Sequence, residues 1–351
     1  MVKVNIISGF LGAGKTTLIK KLLTGSVAKE KIILLENEYG EVGVDGSFMK
    51  DSGIIVDELN SGCICCTLVG DFQKAVDDLI AKYHPDRLLI EPSGVGKLSE
   101  ILAAVERAKE RHSDLVVTGC ATVVDAGKCR MYMKNFGEFF LDQIKTSATV
   151  IFSRTQLLSA ERIEKSRALV EEQHPGVRIV TTPWDDLSAD TLLEVIESGK
   201  PMEIHLDDDD DDDDEDEHEH HHHHDHDDHD HEDGVCPCCG GHHDDDDDEH
   251  EHEHHHHHHA DEVFTSWGQE TVKTFTKEQI EGILKKLSED TAYGMVLRAK
   301  GMVAGADGQW IYFDMVPEEY EVRDGAPEFT GRICVIGSKL AEDKLAELFG
   351  L

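Results

Sequence analysis

A doubly wound α/β domain followed by a smaller α+β domain is the fold this sequence predicts, on three observations. Short apolar runs alternate with amphipathic stretches through residues 1–199. The first of these runs empties into a glycine-rich loop with a helical apolar stripe behind it. Composition then changes abruptly over residues 200–262 and becomes ordinary again through 263–351, which marks a linker between two folded parts.

Val2, Val4, Ile6 and Ile7 read as a buried strand, and Leu18, Ile19, Leu22 and Leu23 as the apolar stripe of a helix. Between them GFLGAGKTT, residues 9–17, matches G-x-x-x-x-G-K-[ST] in its required strand-to-helix setting. Such a loop curls so that successive N–H groups and a helix N-terminus point at one anion. The pattern predicts a P-loop NTPase in which Gly9, Gly12, Ala13, Gly14, Lys15, Thr16 and Thr17 hold a triphosphate. Lys15 would reach the β- and γ-phosphates, and the Thr16 hydroxyl would sit on Mg²⁺.

Residues 31–36, 87–90, 115–124 and 148–152 are further apolar runs of the kind a parallel sheet buries on both faces. Leu98, Ile101, Leu102 and Val105, spaced three and four apart, read as a covering helix. In a doubly wound sheet the ligand sits at the C-terminal strand ends, so the loops leaving these runs carry the chemistry. ENEYGEVGVD, residues 36–45, is placed as a switch that senses γ-phosphate and Mg²⁺. IEPSG, residues 90–94, ends a strand in Glu91, which can hold Mg²⁺ through water, and places Gly94 where its N–H can approach the γ-phosphate. Lys15, Glu91 and Gly94 are therefore the candidate catalytic residues.

The run at 148–152 leads into Ser153, Arg154, Thr155 and Gln156, where a GTPase keeps Asn-Lys-x-Asp to read its base. Ser153, Arg154 and Gln156 become the candidate base-side residues. Gln156 offers one acceptor and two donors where guanine recognition uses a bidentate carboxylate, so an ATP-using enzyme is one alternative reading.

Cys63, Cys65 and Cys66 fall within four residues of one another after a flexible Ser-Gly. Thiolates so clustered suit a soft or borderline ion such as Zn²⁺, Cu⁺, Co²⁺ or Ni²⁺. They are one ligand short of a tetrahedron, and Glu36, Glu41 or an incoming molecule can complete it.

GFLGAGKTT, ENEYGEVGVD, GCICC and IEPSG together resemble the CobW family of P-loop GTPases, relatives of the nickel-chaperone GTPases HypB and UreG. The resemblance spans the whole chain except residues 200–262. It implies a GTPase coupled to metal handling, usually of Zn²⁺ and in some members of cobalt for cobalamin synthesis. It also implies an internal metal site formed by Cys65 and Cys66 with Cys63 and Glu36. SRTQ departs from the family's usual NKxD, so GTP is expected through the resemblance and not through the base-reading residues. A client metalloprotein, and a homodimer that forms with nucleotide, are the expected partners.

Residues 205–262 contain 20 of the 23 histidines, with arrays of Asp and almost no apolar side chain. Such a segment cannot bury enough surface to offset chain entropy and is expected to lack a fold when metal-free. Its imidazoles, exemplified by His220, His222, His224, His254, His256 and His258, stand beside carboxylates and suit several Zn²⁺, Ni²⁺ or Co²⁺ ions. Cys236, Cys238 and Cys239 repeat the C-x-C-C spacing of residues 63–66, which suggests a reservoir whose thiols relay an ion to the internal site.

The net charge of −39 is carried largely by this segment. Residues 207–253 hold 26 acids, and removing them leaves 47 acids against 34 bases, an ordinary acidic remainder without the basic footprint of a nucleic-acid binder. No apolar run is long enough to span a bilayer, and the first strand starts at once without a signal-peptide core. A cytoplasmic protein without a membrane or nucleic-acid partner is the expectation.

In the last part, residues 264–267, 295–303, 309–315 and 331–336 read as strands. Ile280, Ile283, Leu284 and Leu287 make one helix stripe, and Leu340, Leu345, Leu348 and Phe349 a closing one. The order β-α-β-β-β-α predicts a small sheet covered on one face, a surface for client recognition by resemblance. Cys120, Cys129 and Cys334, with His84, His112 and His174, read as packing or surface residues. The function that unites these features is a metal-dependent GTPase acting as a metallochaperone. Its rivals are a cobalt-handling protein for cobalamin synthesis and a metal buffer with incidental nucleotide turnover.

Overall fold

The computed structural model describes residues 1–37, 55–59, 69–199 and 260–351, the side chains of 58, 59, 69–73 and 261 aside. Seven parallel strands form the first sheet: β1 (Val2–Gly9), β2 (Ile32–Asn37), β3 (Ile55–Leu59), β4 (Arg87–Glu91), β5 (Leu115–Asp125), β6 (Thr149–Ser153) and β7 (Arg178–Val180), in the order β3-β2-β4-β1-β5-β6-β7.

Both faces of this sheet are buried because successive side chains alternate across it. Val4, Ile6, Leu88, Ile90, Ile33 and Leu35 pack on one face against the helices Val69–Tyr83 and Leu98–Arg111. Ile7, Leu89, Ile32 and Leu34 point the other way and pack against Leu18, Ile19 and Leu22 of the helix Lys15–Leu22 and Leu192, Leu193 and Ile196 of the helix Ala189–Glu197. At the N-terminal strand ends, away from the phosphate loop, the Arg87 guanidinium is 1% exposed. It donates to Glu30 at 2.7 Å, to Glu197 at 2.6 Å and to Asn5. Burial alone would disfavour its charge, but the hydrogen bonds it donates to Glu30 and Glu197, with the negative charges of both, outweigh that and hold its pKa above the ordinary arginine value.

The second sheet comprises β8 (Thr265–Thr271), β9 (Thr274–Phe275), β10 (Met295–Gly305), β11 (Trp310–Val316), β12 (Glu319–Gly325) and β13 (Gly331–Ser338), in the order β12-β11-β10-β13-β8 with β9 beside β10. The observed order is thus β-β-α-β-β-β-β-α, with β12 and β9 added to the expected set. β12 (EYEVRDG) pairs with β11 alone and carries no apolar run: at the edge of the sheet, only Val322 packs, partly buried, against the core. The closing helix is Glu342–Phe349, so Leu340 precedes it and reaches the core from the loop.

The expectation of a sheet covered on one face is corrected. Trp267, Ala299, Val303, Ile311, Phe313, Ile333 and Val335 pack against the helices Lys277–Glu289 and Glu342–Phe349. Their strand neighbours Leu297, Cys334 and Ile336 point oppositely, into a cluster with Phe10, Leu11, Val95, Phe136, Phe139 and Phe140 of the first domain. Phe264, expected to open β8, precedes it after the short helix Ala260–Val263 and joins this cluster, its ring centroid 5.1 Å from Phe139 and 6.0 Å from Phe10. Both faces are covered, and the described residues of the two domains form one compact unit.

Candidate functional site

The phosphate loop leaves β1 at Gly9, whose backbone has φ +146°, and a Cβ there would lie 2.4 Å from the Val123 carbonyl oxygen. Gly14, at φ +105°, closes the loop as the cap of the helix Lys15–Leu22 and offers no side chain to its N-terminal N–H groups. That turn therefore keeps its donors for a ligand, and Lys20 and Lys21 complement the dipole at the other end. Lys15 folds back over the loop, donating to the carbonyls of Gly9 at 2.9 Å and Phe10 at 3.4 Å. Ala13 is buried in the core with Leu18 and Ile19, and Thr17 faces the cavity described below.

Thr16 Oγ1 donates to Glu91 Oε1 at 2.8 Å. The two residues that the sequence assigned to Mg²⁺ thus touch across the gap between the loop and β4. Both present hard oxygen donors, and Glu91 is 9% exposed, so the pair fits a magnesium ion held by a hydroxyl and a carboxylate. Gly94 also comes to the loop: a Cβ on it would lie 2.8 Å from the Leu11 amide nitrogen. Its position is set by Gln143, fully buried, which donates to the carbonyls of Gly94 at 3.3 Å and Gly96 at 2.9 Å. Sequence reasoning had no signal for Gln143, a lone amide on a helix.

Glu36, next to last in β2, stands in register with Glu91 of β4, which brings the residue assigned to the internal metal site next to the one assigned to Mg²⁺. Glu41, Cys63, Cys65 and Cys66 lie outside the described residues, as do Cys236, Cys238, Cys239, His220, His222, His224, His254, His256 and His258. Among the described residues no group of three or more His, Cys, Asp or Glu could hold a metal ion. Cys120, Cys129 and Cys334 are buried thiols, and burial pushes those of Cys120 and Cys129 up to about 12, which makes these two inert packing groups.

On the base side, Ser153 is buried with its Oγ toward the Val124 carbonyl, and Gln156 is exposed in the turn Thr155–Leu157. Arg154 adopts φ +57° and ties three parts together. Its Nη1 donates to the Gly12 carbonyl at 2.9 Å and to Asp125 at 3.2 Å, and its Nε to Glu319 of β12 at 2.7 Å. Trp184, unmarked in the sequence reading, donates from its indole to the Phe152 carbonyl at 2.9 Å, and its ring would sit 3.3 Å from a Cβ on Gly14. The signal available for it was an aromatic residue just after β7, one strand from the base-side loop.

The C-terminal sheet closes over this region. Val316 packs on Gly12, where an added Cβ would clash with its methyl group. A cavity of about 600 Å³ runs between the loop, with Lys15, Thr16 and Glu91, and the opposite wall, with Tyr312, Asp314 and Arg323. Among the described residues no helix is long and apolar enough to cross a membrane.

Comparison with known proteins agrees with this architecture. Residues 3–181 match the CobW/HypB/UreG nucleotide-binding domain, and residues 264–350 the C-terminal domain of the cobalamin synthesis protein cobW. The zinc chaperone YeiR of Escherichia coli (strain K12) is 36% identical over 162 residues, covering 46% of this chain and 49% of YeiR. The zinc chaperone CobW of Sinorhizobium sp. is 33% identical over 194 residues, covering 47% and 54%. The zinc-regulated GTPase metalloprotein activator 1 of Schizosaccharomyces pombe is 29% identical over 197 residues, covering 53% and 48%. The chain spans about half the length of these curated relatives. The crystal structure of Zn(II)-bound YjiA GTPase from E. coli aligns with TM-score 0.43 at 19% identity, covering 99% of this chain and 98% of that one. With more than half of its length matched by the first of these families, the chain belongs to the CobW/HypB/UreG nucleotide-binding family.

Proposed function

We propose that this protein is a metal-regulated GTPase that works as a metallochaperone, hydrolysing GTP to deliver Zn²⁺ to a client metalloprotein. The observation that carries the reading is the juxtaposition of Lys15, Thr16, Glu91 and Glu36: a phosphate loop whose acidic partner strand adjoins the strand bearing a proposed zinc ligand. Zinc chaperones and a zinc-regulated GTPase among the relatives support it.

In this reading the phosphates take the loop N–H groups and draw the Lys15 amine off the carbonyls it now occupies. Thr16 and Glu91 hold Mg²⁺, which supplies charge neutralisation for the phosphate oxygens when bound. Gly94, pressed against Leu11 and held by Gln143, lies in the loop proposed to follow the γ-phosphate. Ser153, Arg154 and Gln156 flank the base. Zn²⁺ is cargo, taken by Cys63, Cys65 and Cys66 with Glu36, and fed by the imidazoles and thiols of residues 205–262. Co²⁺ and Ni²⁺ suit the same ligands, and cobalt delivery for cobalamin synthesis is the corresponding alternative cargo. The proposed setting is the cytoplasm, with a homodimer forming in the nucleotide-bound state.

Hydrolysis of GTP and of ATP, measured with Zn²⁺, Co²⁺ and Ni²⁺ on the parent and on a variant lacking residues 201–262, tests the reading. GTP turnover that responds to Zn²⁺ supports it. Turnover indifferent to every metal and to Cys65→Ser would instead indicate a metal buffer.

A further inference from the structure

The outer wall of the cavity belongs to the C-terminal domain, for which the resemblance implied client recognition. Three contacts hold that wall against the phosphate loop. Leu297, Cys334 and Ile336 share one apolar core with Phe10 and Leu11 of the loop itself. Val316 sits on Gly12. Glu319 pairs with Arg154, which also binds the Gly12 carbonyl. A shared core of this kind makes the two domains one packing unit, so a ligand seated in the loop lies under β11 and β12.

The register shows what those strands present. Tyr312, Asp314 and Val316 alternate with the core residues Ile311, Phe313 and Met315, and so point away from the helices. Arg323 stands beside Tyr312 in the β11·β12 register, and both line the cavity opposite Lys15 and Thr16. Four ion pairs anchor charges of this wall. Arg298–Asp314 is 2.9 Å, Arg154–Glu319 2.7 Å and Lys277–Asp324 2.7 Å, whereas Arg323–Glu321 is 3.6 Å with both side chains well exposed. An exposed pair at that distance contributes little, so the Arg323 guanidinium turns to a better anion at small cost. A triphosphate offers one: its oxygens match the planar donor fork bidentately.

We infer that the C-terminal domain completes the nucleotide site, with Arg323 contacting the phosphate oxygens of a nucleotide held by the loop 9–17. This rests on the nucleotide-binding reading above and adds a residue from the second domain to it. Glu321 then acts as the resident competitor for the same guanidinium.

Calorimetric titration of the full chain with GDP and a non-hydrolysable GTP analogue, in Mg²⁺, tests the assignment. Arg323→Gln is expected to weaken binding of the analogue about tenfold, the size of one charge-assisted phosphate contact, and Arg323→Lys to weaken it less. Glu321→Gln is expected to tighten binding, an effect of opposite sign that loss of fold cannot produce. Arg332→Gln, on β13 and paired with Glu270, serves as the neutral control. The inference is overturned if Arg323→Gln binds as the parent does while Lys15→Ala loses binding. A parent that binds no nucleotide, or a Lys15→Ala variant that binds normally, overturns the nucleotide reading and this inference together.

Discussion

Glu36, next to last in β2, stands in parallel register with Glu91 at the end of β4. Neighbouring strands lie about 4.8 Å apart and registered side chains share a face, so a cation bound through one carboxylate is felt at the other. At that separation the Coulombic coupling is on the order of a few kcal/mol for an effective dielectric near 20. Any coupling between them is reciprocal. Zinc affinity of the parent is therefore expected to differ between the GDP-bound and GTP-analogue-bound states. Glu36→Ala is expected to weaken zinc binding by about tenfold or more and to erase that difference. Equal zinc affinity of the parent in both nucleotide states would remove the basis for the coupling.

Arg154 and Glu319 are unequal partners in their ion pair. Glu319 is 53% exposed and gives the pair the value of a surface bridge, about 0.5 kcal/mol or less. Removing Arg154 does more, because Asp125 is 3% exposed and its remaining cation, Lys128, stands 3.7 Å away. Chemical denaturation is expected to show Arg154→Ala destabilised by roughly 2–3 kcal/mol and Glu319→Gln barely changed. Equal losses for the two would mean that the cross-domain bridge, and not the buried aspartate, dominates.

The central strands were legible because burial on both faces demands continuous apolar residues: β1, β2, β4, β5 and β6 each stood out as a run. β3, β7 and β12 are edge strands of their sheets, and their pairing on one side only leaves no such mark. The loop 9–17 was legible as a unit because its chemistry is local in sequence. Glu319, Gln143 and Trp184 were not, and Arg154 was marked for the base side but not for its ties to Gly12, Asp125 and Glu319, since each of these acts through a partner dozens of residues away. Phe264 was misplaced for a related reason: an aromatic residue before a strand looks like its first residue until the core it fills is known. Thr16 and Glu91 lie between these cases: each was assigned to Mg²⁺ on its own, and their direct hydrogen bond appears only in the fold.

Arg87 is buried with its charge, bound to Glu30, Glu197 and Asn5. Truncating one partner of such a cluster leaves carboxylates without their counter-ion, and Arg87→Ala is expected to cost roughly 3–5 kcal/mol. Because the cluster sits at the N-terminal strand ends, nucleotide affinity per folded molecule should not change. Urea unfolding alongside titration of the folded fraction separates the two quantities, and a matching drop in affinity would place Arg87 in the site's support.

Glu100 is half-buried on the helix Leu98–Arg111, and burial pushes its carboxyl up to about 7, helped by Asp142 and Glu138 against the opposing Lys97. The unfolded chain ionises near the ordinary carboxylate value, so between there and about pH 7 the folded state holds a proton that the unfolded state has lost. Stability contributed by this group therefore falls as pH rises through that window. Glu100→Gln, which mimics the protonated form, is expected to match the parent near pH 4 and to exceed it at pH 8 by about 1 kcal/mol or more. Thermal melts at both pH values check the sign; a variant less stable at pH 8 than the parent would show that the ionised carboxylate is the favoured form.

Phe264 enters the first domain's core from the second, alongside Leu297, Cys334 and Ile336. It is fully buried, with ring centroids 5.3 Å from Phe136, 5.1 Å from Phe139 and 6.0 Å from Phe10. Phe10 lies inside the phosphate loop, so the aromatic cluster that holds the domains together also braces the backbone that cradles phosphate. Phe264→Ala opens a void in that cluster, and large-to-small changes at such sites cost roughly 3–5 kcal/mol. Phe264→Leu keeps most of the volume and is expected to cost about half as much. Nucleotide binding is expected to fall with Phe264→Ala even in the folded fraction, because the loop loses its support and the wall bearing Arg323 loses its anchor. A variant that unfolds more readily yet binds nucleotide with parental affinity would show that the loop keeps its shape without the second domain.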